Sequence, residues 1–124
     1  MDKEFIIYEQ ALALKELGFD EPCFGFYYKA VIMLGCSRDY PNPNKGDFLE
    51  TPLYQQAFRW FREKYKLHHC INTMFESKGK VWDCCIGKIS GESSIWNDDV
   101  KGKYEKAEFE CLKKLIEIVK NNGD

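Results

Sequence analysis

The chain has 124 residues, 44% of them apolar and 31% charged, with a net charge of −2. That length supports one domain with a core of its own, and the apolar content excludes a disordered acidic or basic tail. The near balance of charge excludes a histone-like partner or attraction to a membrane by bulk field, and no apolar run approaches the ~18 residues of a membrane span.

The opening Met1-Asp2-Lys3-Glu4 is charged, and Phe5-Ile6-Ile7 is too short for a signal-peptide core, so a cytoplasmic protein without a membrane partner is expected. Residues 4–17 are read as the first helix, with Tyr8, Ala11, Leu12, Leu14 and Leu17 as its apolar stripe. Gly18 stands where a left-handed C-terminal cap belongs, and Pro22 prevents the helix from resuming. Cys23 to Tyr28 and Ala30 to Cys36, rich in aromatic and β-branched residues, are read as a hairpin turning near Lys29. Residues 37–50 hold Pro41, Pro43 and Gly46 and are read as a long loop.

Thr51-Pro52 signals a helix start, with threonine as cap and proline at the first helical position. The second helix is expected from Pro52 to about Lys66, with Leu53, Ala57, Trp60, Phe61 and Tyr65 on its apolar side. Cys70 to Glu76 and Val81 to Ile89 are read as a second hairpin, turning at Lys78-Gly79. Residues 90–103 are read as a polar connector anchored by Ile95, Trp96 and Val100. The last helix is expected at about 103–120, where Tyr104, Ala107, Cys111, Leu112, Leu115, Ile118 and Val119 recur at three- and four-residue spacing.

These elements define an α+β domain over residues 1–124, ordered helix-hairpin-helix-hairpin-helix, with an antiparallel four-stranded sheet packed against three helices. In the first strand Phe24, Phe26 and Tyr28 alternate with Cys23, Gly25 and Tyr27. Aromatic residues on both sides imply burial on both sides, so a homo-oligomer is expected.

Each helix is introduced by a tyrosine-led tetrapeptide: Tyr8-Glu9-Gln10-Ala11, Tyr54-Gln55-Gln56-Ala57 and Tyr104-Glu105-Lys106-Ala107. The stretches that follow them, 8–23, 52–65 and 104–119, resemble an uncharacterised family of small proteins from phages and prophages of gut Bacteroidetes. One departure is Lys103, where relatives carry threonine. The resemblance brings no catalytic motif. It implies an accessory protein that disables a host defence component or sequesters a nucleotide signal used by that defence.

Charge is unevenly spread. Residues 1–58 carry five basic and nine acidic side chains, residues 59–88 seven and three, and residues 89–124 six and eight. The basic middle centres on Arg59, Arg62, Lys64 and Lys66, with Tyr65 beside them to stack a base. Arginine's planar fork suits phosphate oxygens, so these five residues are the candidate anion site. The competing reading is a solvated helix face with Trp60 and Tyr65 in the core.

Other chemistry has weaker grounds. His68-His69-Cys70 with Asp83-Cys84-Cys85 offers soft ligands, but neighbours in a strand face opposite ways, and no CxxC spacing occurs. No metal or cofactor is expected, and the cysteines are read as buried thiols. Asp98-Asp99 and Asp20-Glu21 are read as turn or cap residues. No glycine-rich phosphate loop or nucleophile motif appears, so an enzyme is not expected. A nucleotide-binding protein is the leading expectation. A protein-interaction module that inhibits or recruits a host protein through Tyr40, Phe48 and Trp96 is the alternative. Nucleic acid is an unfavoured partner for a chain that is acidic overall.

Overall fold

A computed structural model of the chain describes residues 4–35, 48–76, 79–89 and 94–121. Its element order is α1 (Tyr8–Glu16), β1 (Gly25–Tyr28), β2 (Val31–Leu34), β3 (Phe48–Thr51), α2 (Tyr54–Lys64), β4 (Leu67–Glu76), β5 (Gly79–Lys88), β6 (Ser94–Lys101) and α3 (Tyr104–Asn121). The fold is mixed α and β, with three helices and two antiparallel sheets of three strands each, ordered β2-β1-β3 and β4-β5-β6. Two compact units, Met1–Gln56 and Ala57–Asp124, divide the chain within α2. No helix among the described residues is long and apolar enough to cross a membrane.

The expected four-stranded sheet is therefore replaced by two separate sheets, because each hairpin gains a third strand that its own sequence disguises. Phe48–Thr51, of which residues 48–50 were expected inside the long loop and Thr51 as a helix cap, pairs with β1, matching Tyr28 to Phe48 and Gly25 to Thr51. Ser94–Lys101, expected as a connector, pairs with β5, matching Trp82 to Val100 and Cys84 to Asp98. Asp98 and Asp99 thus sit in an edge strand instead of a turn. Edge strands tolerate charge there, since charge deters pairing with other chains.

The first unit is built on a pinned N-terminal segment. Ile6 N–H donates to the Pro52 carbonyl at 3.2 Å, and Phe5 bridges Leu53. The Ile6 carbonyl accepts from Thr51 Oγ1 at 3.1 Å and from Tyr27 Oη at 2.9 Å. Thr51 is completely buried in this role. It is a strand residue that ties down the N-terminus, not the cap of α2, and the helix starts at Tyr54 rather than Pro52.

The end of α1 follows from Gly18. With φ at +101°, Gly18 lets its N–H reach the Lys15 carbonyl at 3.0 Å, while Phe19 N–H reaches Leu14 at 2.9 Å. This pair of bonds is a Schellman cap, and buried Phe19 and Leu14 supply its apolar contact. Gly18→Ala is expected to destabilise the protein by about 1–2 kcal/mol, because a Cβ disfavours that backbone conformation. Urea denaturation of the pure variant checks the value.

In the second unit α3 lies on one face of β4-β5-β6. Its buried Ala107, Cys111, Leu112, Leu115, Ile116 and Val119 recur at helical spacing, so one stripe supplies most of that core. Cys84 and Ile86 meet it from β5, both fully buried. Trp82 Nε1 donates to the Gly102 carbonyl at 2.9 Å, and its ring meets Tyr104 edge-on at 5.1 Å. These two contacts fix where α3 begins.

Candidate functional site

The basic residues of α2 do not form a single cluster. Arg59, Arg62 and Lys64 are exposed, whereas Tyr65 is half-buried. Arg59 Nε lies 4.0 Å from Glu63 Oε1, one turn on, an exposed pairing of small energy. The Lys64 ammonium sits over the protein's own rings, 5.0 Å from the Trp60 centroid and 5.6 Å from Tyr65. Tyr65 packs edge-on against Trp60 at 5.4 Å. Lys66 leaves the helix line, with φ at +57°, and its carbonyl accepts from Ile89 N–H at 3.0 Å. Lys64 and Tyr65 are thus brought together with Trp60, while Lys66 lies beyond the helix, exposed, in a left-handed backbone conformation. Arg62 acts inward as well. Burial, then the Arg62 and His68 charges, lower His69 to a pKa of about 4, and the His69 ring stacks on Phe58 at 3.7 Å and 13°.

A second grouping of basic and aromatic side chains, around a groove, lies in the first unit. A groove of about 230 Å3 is lined by Tyr8, Leu12 and Lys15 from α1, by Lys29 and Ala30, and by Phe48 and Leu49 from β3. It holds two ammonium groups and two aromatic rings, with no carboxylate among those lining residues. Tyr8 is held edge-on against Tyr27 at 5.4 Å. Phe48 is held by Phe26 at 4.9 Å and Tyr28 at 5.2 Å. Lys29 and Ala30 form the two-residue link between β1 and β2, both with positive φ, +50° and +65°. That is the turn a right-twisted hairpin prefers, usually built from asparagine and glycine. Two non-glycine residues held there store strain, and strain of this kind concentrates at binding sites. A second groove of about 270 Å3 shares Lys15, Phe48 and Leu49 and adds Phe19, Asp20 and Glu50.

The expected apolar stripe of α1 hides this site. Gln10, Ala11 and Leu14 are the buried residues of that helix. Tyr8 and Leu12 keep 37% and 41% of their surface exposed, so with Lys15 they form a second helical line facing the groove. Lys15, Lys29 and Phe48 are joined only by the pairing of β1 with β3, which no local pattern announces. The positions 8, 12 and 15, one helical face ending in lysine, were the available signal.

A third groove of about 210 Å3 is lined by Trp96, Asp98, Glu110, Lys113, Lys114 and Glu117. Its charges offset one another, as in the 3.6 Å pair of Lys114 with Glu117. Of the aromatic patch expected for protein binding, Tyr40 lies outside the described residues. Phe48 belongs to the first unit and Trp96 to the second. Among the described residues no group of three or more His, Cys, Asp and Glu side chains could hold a metal ion.

Compared with known proteins, the chain matches no protein-family model, no curated protein and no solved structure.

Proposed function

We propose that this protein is a non-catalytic binding protein whose first-unit groove takes a small anion bearing a flat ring, of the nucleotide class. The observation that carries the reading is the joint placement of Lys15, Lys29, Tyr8 and Phe48 around one groove with no carboxylate in its lining. Ammonium groups supply charge-assisted hydrogen bonds to phosphate, and aromatic faces stack a base. The phage resemblance supports a role in counter-defence, with the ligand a nucleotide-derived immune signal held unchanged. The exposed Arg59 and Arg62 of α2 are a subsidiary anion-attracting face.

Calorimetry against linear, cyclic and ADP-ribose-type nucleotides tests this. Heat is expected from at least one class, and Lys15→Glu or Lys29→Glu should each weaken binding about tenfold or more. Absence of heat across the panel, or full affinity in both variants, rejects the groove. Loss confined to Arg59→Glu and Arg62→Glu would move the site to α2.

The second reading, a protein-interaction module, is favoured by β2. Among the described residues this strand is one of the two edges of its sheet and reads Val-Ile-Met-Leu, with Val31 60% and Leu34 52% exposed. Phe24, 74% exposed, is tied across to Gly35 by a 2.7 Å backbone bond. An apolar edge of this kind accepts an added strand, from a host protein or a second copy. A stoichiometric partner that is lost on Val31→Lys supports this reading. Equal recovery by wild type and variant removes it.

A further inference from the structure

Cys70 and Cys85 are direct partners across the β4–β5 ladder. Directly opposed residues of an antiparallel pair share a face, with Cα atoms about 4.5–5.5 Å apart, inside the ~4.4–6.8 Å range over which a disulfide closes. Their thiols already lie within hydrogen-bond reach of each other. Asn72 Nδ2 donates to Cys70 Sγ at 3.2 Å, placing a donor on the sulfur of the sheet's edge strand.

A second thiol pair shows why the first is distinctive. Cys84, next to Cys85, faces the other way and meets Cys111 of α3. Both are completely buried, and burial raises both thiols above the usual range as it does Cys85, so solvent access and not acidity separates the two pairs. Cys70 and Cys85 are only half-buried, and their face also carries exposed Asn72 and Asn97, the latter paired with Cys85 on β6. Of the two pairs, only Cys70–Cys85 combines strand-to-strand opposition with access from solvent.

We propose that Cys70 and Cys85 form a dithiol site that closes to an intrachain disulfide by exchange with a small disulfide of the glutathione class. The Cys70 thiolate attacks one sulfur of the reagent, forming a mixed disulfide and expelling one thiolate. The Cys85 thiolate then attacks the Cys70 sulfur and expels the second. Two protein thiols are oxidised and the reagent is reduced to two thiols, which take up the two protons released. The product is a covalent clamp across β4 and β5 on the face opposite Cys84.

The full-length protein, incubated with excess oxidised glutathione and quenched with acid, is mapped by peptide mass spectrometry. The expected product is lighter by two hydrogens and joins the Cys70 peptide to Cys85, with fragment ions separating Cys85 from Cys84. Cys84 and Cys111 should accept an alkylating reagent only after denaturation. Cys85→Ser should leave a persistent glutathione adduct on Cys70, which identifies the attacking sulfur. The proposal is overturned if the wild-type thiols stay free, if the bond joins two chains, or if it forms through Cys84 or Cys111. Should a variant not fold, the wild-type map decides alone.

Discussion

Gly25→Ala is expected to destabilise the protein by about 1–3 kcal/mol, although Ala normally suits a strand better than Gly. A Cβ at Gly25 would lie 2.7 Å from Phe5 Cε1, 3.0 Å from Cζ and 3.2 Å from Cδ1. One of the two must move. Phe5 is buried, with only 5% of the residue exposed. The backbone beside it is fixed by the Leu53 bridge and the bonds at Ile6, so only rotation of a packed ring is left to relieve the clash. A double-mutant cycle isolates the contact. Phe5→Leu alone leaves a void, whereas Phe5→Leu with Gly25→Ala should recover at least about 1 kcal/mol relative to the sum of the single changes. Urea midpoints of the four proteins measure the coupling. Additive losses would mean that Phe5 and Gly25 do not constrain one another.

This contact illustrates what sequence reading could reach. Gly18 was legible because a helix cap is a local event, decided within five residues by backbone bonds. Gly25 was not, because the residue that demands it lies twenty positions earlier and meets it only through the β1–β3 pairing and the Phe5–Leu53 bridge. The same separation explains the missed strands. In β6 only Val100 is buried among the residues whose side chains are described, and Asn97, Asp98 and Asp99 look like connector residues because both faces there meet water. Thr51-Pro52 carried a true boundary signal for α2 but the wrong role for Thr51, since a hydroxyl that can cap a helix can equally bond a distant carbonyl. The sequence groups Cys70 with Asp83-Cys84-Cys85 only as residues of soft-ligand type, and it takes the strand register to make Cys85 its partner. The cations of α2 and its end stand out because they lie close together in sequence, whereas Lys15 and Lys29 lie apart and line one groove only in the fold.

Lowering the pH from about 7 to about 4.5 should cost stability through His69 alone, by about 1–2 kcal/mol once solvent screening at a half-buried ring is allowed for. The native ring titrates at about 4, below its ordinary value of 6.5, because burial and the Arg62 charge oppose a second proton. Between those two values the unfolded chain binds a proton that the native protein refuses. The stability from neutral His69 is therefore complete above about pH 6.5 and falls away as the pH drops toward 4. Denaturation of wild type and His69→Gln at both pH values separates this loss from the carboxylate titrations the two proteins share. The wild type should lose more. Arg62→Gln should narrow the difference by letting the native pKa rise. Parallel pH profiles in the wild type and His69→Gln would show that the ring is not held neutral. The same titration, followed by NMR, reports on the α2 face: an anion held by Arg62 offsets the charge acting on His69 and raises its pKa. A nucleotide that binds without moving His69 leaves Arg62 outside the site and favours the pair of lysines around Tyr8 and Phe48.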